Sequence, residues 1–152
     1  MSEPDLSWSG EGYFDSNAGD EPLEKGFEQW TWSRSRLRDR SAVLYDTQPR
    51  NGEPRSLALE FDANGAAHPM VAPGEVALPR TRWQLPRRTR SEAGQEARLL
   101  KTLEDAPFYS RSLIEAGLFG SRAVSFHESL SLDRFRTRWV QCLLPFRMPR
   151  IA

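Results

Sequence analysis

The chain holds one cysteine, Cys142, in 152 residues. That excludes an intramolecular disulfide and any zinc site built from several cysteines of this chain. A reducing compartment is compatible with it. Histidine is nearly as scarce. His127 is followed by Glu128, and neighbours in a strand face opposite ways, so these two do not act as a pair. His68 precedes a proline in a loop, and metal binding is not expected. The net formal charge is zero, so no global field draws nucleic acid. No apolar run approaches the roughly 20 residues needed to span a bilayer. The opening Ser2-Glu3-Pro4-Asp5 is acidic and polar, unlike a secretory signal. A Gly-rich phosphate loop, a nucleophile elbow and a Cys–His nucleophile pair are all missing.

The chain has the size of one domain with one core, spanning residues 1–152. With 38% apolar and 28% charged residues, it reads as soluble and globular rather than disordered. Its charges are segregated. Residues 1–33 carry eight carboxylates against Lys25 alone, whereas Arg80 to Arg90 and Arg134 to Arg150 are basic. Only Lys25 and Lys101 are lysines. Genomic base composition accounts for that arginine bias, and contact with anionic lipid headgroups is the sharper alternative.

Short β-type segments alternate with turn signals, which predicts an all-β sandwich or barrel. Strands are expected at residues 7–15, 28–37, 41–46, 56–61, 82–86, 98–104, 109–116 and 122–128. Turns are marked by Asn51-Gly52 and Asn64-Gly65, and Gly117 and Gly120 bracket another reversal. Residues 68–90, rich in Pro and Arg, read as a long loop around one strand. One C-terminal helix is expected, capped by Ser131, with Asp133 in its first turn and Pro145 at its end. Leu132, Phe135, Trp139 and Leu143 would share its apolar face, either packed over a barrel opening or touching a membrane.

Two groups of residues could carry chemistry. Tyr13 and Asp15 share strand parity, as does Glu11, which sets a phenol beside a carboxyl. In an aromatic pocket, desolvation favours the protonated carboxyl, and Asp15 would serve as a general acid. The plain alternative is that Asp15, Ser16 and Asn17 close a turn. Trp30 and Trp32 share a face that continues to Arg34 and Arg36. Two indoles so placed either line a tunnel for a long apolar ligand or belong to an ordinary core, and their π faces can steady a positive charge.

At these residues the chain resembles a known family. Gly12-Tyr13-Phe14-Asp15-Ser16-Asn17-Ala18-Gly19-Asp20-Glu21-Pro22-Leu23 and Phe27-Glu28-Gln29-Trp30-Thr31-Trp32-Ser33-Arg34 are similar to segments of the carotenoid 1,2-hydratases (hydroxyneurosporene synthases). So are Leu103-Glu104-Asp105-Ala106-Pro107-Phe108-Tyr109-Ser110-Arg111-Ser112, His127-Glu128-Ser129-Leu130-Ser131-Leu132-Asp133-Arg134-Phe135 and the stretch from Arg138 to Arg150. The resemblance implies a lipocalin-like antiparallel β-barrel, half of a two-barrel fold. It implies cofactor-free addition of water across the terminal C1–C2 double bond of acyclic carotenoids such as neurosporene and lycopene. Asp15 then falls on the family's proposed proton donor, with Tyr13 beside it. Trp30, Trp32 and Tyr109 would bind the substrate and face the cation.

Family members are about twice this length or longer, and this chain resembles their C-terminal half. It therefore reads as a fragment, a split gene product or a truncated paralogue, working with an N-terminal half or a second chain. The His that would collect the leaving proton lies upstream of the Tyr-x-Asp motif in the family, and residues 1–12 hold none. Two further readings stand beside hydration of carotenoids: a non-catalytic lipophile-binding module, and a hydratase of another prenylated substrate. Since carotenoids partition into bilayers, the expected location is cytoplasmic and peripheral to the inner membrane, through the Arg134–Arg150 region.

Overall fold

The structure is a computed structural model, and it describes Ser7, Ser9, Tyr13, Phe14, Ser16 and residues 18–146. A short helix α1 (Leu23–Gly26) leads into β1 (Phe27–Arg36), β2 (Ser41–Pro49), β3 (Arg55–Phe61) and β4 (Ala67–Pro69). Next come β5 (Gly74–Leu78), β6 (Arg87–Ser91), β7 (Arg98–Asp105), β8 (Tyr109–Leu118) and β9 (Ser121–Ser131). The helices α2 (Leu132–Phe135) and α3 (Arg138–Leu143) follow. Seven strands make one antiparallel sheet in the order β4-β3-β2-β1-β9-β8-β7, and β5 and β6 pair as a separate hairpin. The all-β class expected from the sequence is present. Among the described residues β4 and β7 form the sheet's edges, and no pairing joins them.

Side chains alternate cleanly across the sheet because the strand period is two. In β8, Ser110, Ser112, Ile114 and Ala116 are buried while Tyr109, Arg111, Leu113 and Glu115 are half-buried. In β9, Ala123, Ser125, His127 and Ser129 are buried, and Val124 and Phe126 face outward. β1 buries Ser33 and Ser35 on the same side. The buried face is thus built largely from serine. Its small side chains let the β5–β6 hairpin lie close over it, with β6 touching β1, β8 and β9. Ala42, Leu44, Ala58, Leu118 and Ala123 form an apolar cluster at one end.

Polar bonds hold the hairpin down. The Arg90 guanidinium on β6 grips Asp46 on β2, its Nε lying 3.0 and 2.9 Å from the two carboxylate oxygens and its Nη2 2.8 Å from Oδ1. Arg87 is buried and donates to the Pro79 and Arg80 carbonyls and to the hydroxyls of Thr102 and Ser112. Burial lowers its pKa, and the charge of Asp105 opposes that shift. The Nε2 of His127 lies 2.7 Å from the carbonyl oxygen of Arg88, so Nε2 carries the proton and donates it.

Register in the β8–β9 hairpin comes from its turn. Leu118 pairs with Ser121 across two residues, Phe119 at φ 53° and Gly120 at φ 70°. Positive φ at both central positions is the type I′ geometry that matches strand twist. Phe119 tolerates it under the Arg40 guanidinium, which lies 5.3 Å from its ring. Gly117, expected in this turn, sits inside β8 instead. A Cβ there would come within 2.4 Å of Gln95 Cβ, so a close approach rather than a reversal requires glycine.

Several expectations need correction. Residues 82–86 form no strand. Gln84, at φ 59°, donates its N–H to the Thr81 carbonyl, and the Thr81 N–H and hydroxyl both bond Leu85, which makes a tight turn between Pro79 and Pro86. The surrounding stretch contains two paired strands, β5 and β6, rather than one in a loop. The C-terminal helix is two short helices. Ser131 does cap the first, accepting the Arg134 N–H at 3.3 Å. Thr137, at φ −70° and ψ 136°, then leaves the helical conformation and donates its hydroxyl to the Arg134 carbonyl. The proposed apolar face is broken accordingly: Leu132 and Val140 are buried, but Trp139 is exposed. The strand expected at residues 7–15 lies mostly outside the described residues.

Burial pushes the His127 imidazole down to about 4, with the nearby Arg87 charge adding to the shift and the bond to Arg88 opposing it. The folded chain therefore keeps His127 neutral where the unfolded chain, near 6.5, binds a proton. This contribution is complete above about pH 6.5 and is lost as pH falls towards 4, by about 3 kcal/mol. His127→Gln keeps a donor for Arg88. Denaturant titrations at several pH values should show a flatter acid dependence in the variant over that window; equal slopes would refute the assignment.

Candidate active site

Residues paired across antiparallel strands point to the same side of the sheet. Trp30 pairs with Leu130 on β9, and Leu130 pairs with Tyr109 on β8. Trp32 pairs with Tyr45 on one side and Glu128 on the other, and Glu128 pairs with Arg111. Arg34 pairs with Val43 and Phe126. Trp30, Trp32 and Tyr109, singled out from the sequence, therefore share one face, opposite the serine face and its hairpin cover.

Aromatic contacts knit this face together. The Trp30 and Tyr45 rings stack at 6.2 Å between centroids. Tyr13 comes from outside the sheet and lies on Trp32, 5.2 Å away and tilted by 40°. The Arg34 guanidinium sits 5.2 Å from the centroid of the Tyr13 ring. The segment bearing the Tyr-x-Asp motif thus reaches the aromatic face through its tyrosine. Asp15, two residues further on, lies outside the described residues.

A polar group sits among these rings that the sequence did not reveal. Glu128 is flanked in register by Trp32 and Arg111. The Arg111 Nε is 3.5 Å from its Oε1. The Tyr109 phenol, diagonal to it across the β8–β9 pair, is electrostatically coupled to the same carboxylate. Burial first, then the charge of Glu128, raise the Tyr109 pKa well above its ordinary value. The phenol is therefore a fixed donor across the physiological range. Strand parity rightly places His127 and Glu128 on opposite faces. Counting the register out from the Phe119-Gly120 turn would have brought Arg111 opposite Glu128 as well.

The buried side offers a different cleft of about 250 Å3, with Thr31, Asp46, Arg88, Arg90 and Ser129 in its lining. Two of its carboxylates are already matched, Asp46 by Arg90 and Glu75 by Arg88 at 3.3 Å. Ionic walls of this kind suit a polyene poorly. Among the described residues, no group of three or more His, Cys, Asp or Glu is placed to hold a metal ion.

The family model for carotenoid hydratase CrtC matches residues 1–152. The chain belongs to the carotenoid hydratase family. It is 51% identical over its whole length to the acyclic carotenoid 1,2-hydratase of Thiocapsa roseopersicina, covering 38% of that protein. It is 42% identical to the acyclic carotenoid 1,2-hydratase of Rubrivivax gelatinosus, again across the whole chain and 38% of the relative. Against the protein of the same name from Cereibacter sphaeroides, identity is 40% over 94% of the chain and 51% of the relative. The chain thus spans roughly two-fifths to one-half of the curated relatives it matches. No solved structure matches it. Within this carotenoid hydratase family member, Tyr13, Trp30, Trp32 and Tyr109 meet on a single aromatic face.

The chain has three tyrosines, and burial with the charge of Glu128 should delay the ionisation of Tyr109 beyond the ordinary tyrosine range. In a spectrophotometric titration, Tyr109→Phe should remove a phenol step above that range. Loss of a step within it would show that Glu128 and burial do not govern this phenol.

Proposed function

We propose that the chain supplies the acid and the aromatic face for hydration of the terminal C1–C2 double bond of acyclic carotenoids. Neurosporene and lycopene are the intended substrates, and the chemistry needs no cofactor. The observation that carries this reading is the convergence of Tyr13, Trp30, Trp32 and Tyr109 on one sheet face in a carotenoid hydratase family member. Asp15 is the proton donor. A neutral carboxyl transfers its proton to C2, the π electrons form the new C–H bond, and C1 becomes a tertiary carbocation. The π faces of Trp30, Trp32 and Tyr109 stabilise that cation, each by about 0.5–2 kcal/mol depending on desolvation. Water then bonds to C1 and loses a proton to give the tertiary alcohol.

The same reading takes the fold as one lipocalin-like half of a two-barrel protein. An upstream half, or a second chain, completes the pocket over the open aromatic face. The short match to the length of its relatives supports this. The substrate is drawn from the lipid phase, so the protein works at the cytoplasmic side of the inner membrane as a peripheral enzyme. Arg134 contributes little to that contact, because its guanidinium donates to the carbonyls of Trp83, Gln84 and Pro107. Arg136 and Arg138 are exposed and remain for anionic headgroups.

The test incubates the chain with lycopene or neurosporene in detergent, alone and together with the portion of the Thiocapsa roseopersicina hydratase that it does not match. Products are separated chromatographically. Hydrated carotenoid is expected in at least one arm. Asp15→Asn should lower turnover by about 100-fold or more, the usual worth of a positioned acid, with the β-sheet spectrum unchanged. Near-normal turnover by the Asn variant would remove Asp15 from the role. Polyene binding without product in either arm would favour a lipophile-binding module, and turnover of a short prenylated phenol alone would favour another terpenoid substrate.

A further inference from the structure

Hydration needs a second proton-handling group. Once Asp15 has given its proton to C2, the oxygen that bonds to C1 carries one proton too many. We infer that Glu128 is the base that accepts this proton, held in place by Tyr109 and Arg111. The inference rests on the hydration reading above.

Among the described residues, Glu115 and Glu104 also lie on this face. Glu115 lies towards the far end of β8, held by Arg98 at 3.0 Å and Arg122 at 2.7 Å. Glu104 belongs to the edge strand β7, beyond Arg111. Of these described carboxylates Glu128 is the central one. Its strand lies between β1 and β8, its in-register neighbours are Trp32 and Arg111, the Arg111 Nε is 3.5 Å from its Oε1, and Tyr109 lies diagonal to it. It therefore stands between two of the rings that would flank the cation. An ionised carboxylate is an acceptor only. Its two oxygens offer more lone pairs than Arg111 and Tyr109 can use, which leaves acceptor capacity for water.

The charged groups around it come from every neighbouring strand. Arg34 on β1 is turned onto the Tyr13 ring, Arg111 on β8 faces Glu128 directly, and Glu104 on β7 lies past Arg111. His127 faces the other side of the sheet. Water held by Glu128 donates an oxygen lone pair to C1 and forms the C–O bond. One O–H bond of the resulting oxonium breaks, its electron pair returns to oxygen, and the proton passes to Glu128. Solvent then returns a proton to Asp15 and removes one from Glu128. This arrangement supplies the base from within the chain and dispenses with an upstream histidine in that role. Tyr109 is a positioning residue for Glu128, besides facing the substrate.

The test uses whichever arm of the hydration assay gives product, with polyene binding followed by quenching of tryptophan fluorescence. Glu128→Gln should lower kcat by about 100-fold while binding stays within threefold. Glu128→Asp should keep part of the activity, and formate should restore turnover to Glu128→Ala but not to Asp15→Asn. Glu128→Gln turning over within threefold of the wild type, while Asp15→Asn is inactive, overturns this assignment and leaves the hydration reading standing. Loss of turnover without formate rescue, or with loss of the sheet spectrum, makes Glu128 structural and also overturns it. A wild type without product in either arm overturns both.

Discussion

Arg90 holds both carboxylate oxygens of Asp46 across the gap between the β5–β6 hairpin and the large sheet. Removing one partner of such a half-buried pair would leave an uncompensated charge beneath the hairpin. The clamp matters because the covered face is poor in large apolar groups. Ser33, Ser35, Ser110, Ser112, Ser125 and Ser129 release little hydrophobic energy on burial. Directional bonds take over part of that work, through Arg90, Arg87 and His127. Each reaches from one layer to the other, so the hairpin has a defined seat rather than a greasy one.

Closing one face in this way frees the other. In a sheet covered on both sides, Trp30, Trp32, Tyr45 and Tyr109 would be ordinary core. Here they remain half-buried, next to exposed Phe126 and Leu57. Flat rings, a carboxylate and two guanidiniums then coexist on one surface. That combination suits a reaction whose intermediate is cationic, since π faces attract positive charge and an ionised carboxylate is an acceptor. The N-terminal segment joins the surface through Tyr13, which the Arg34 guanidinium and the Trp32 ring hold between them.

Six of the expected strands match observed ones closely, and the reason is local. In β3, β8 and β9 the inward and outward side chains differ in type, so alternation is visible in the letters themselves. Strand β6 hides because its inward residues are Arg87, Thr89 and Ser91, with no apolar stripe to announce them. The C-terminal helix looks continuous in the sequence because Leu132, Phe135, Trp139 and Leu143 keep helical spacing across Thr137. A single hydroxyl bonded back to the Arg134 carbonyl outweighed that spacing. Gly117 resembles a turn residue in the sequence because nothing nearby predicts the approach of Gln95.

The sequence by itself determined the all-β class, most strand positions, the turn at Gly120, the shared face of Trp30 and Trp32 and the family of the chain. All of these depend on neighbours a few residues apart or on runs of residue identity. Only the tertiary structure decided which face stays open, that Tyr13 lies on Trp32, and that Glu128 meets Tyr109 and Arg111. Those outcomes depend on strands far apart in the chain coming into one register. The energy that selects the register is summed over the whole sheet and its hairpin cover, and no short stretch of sequence contains it.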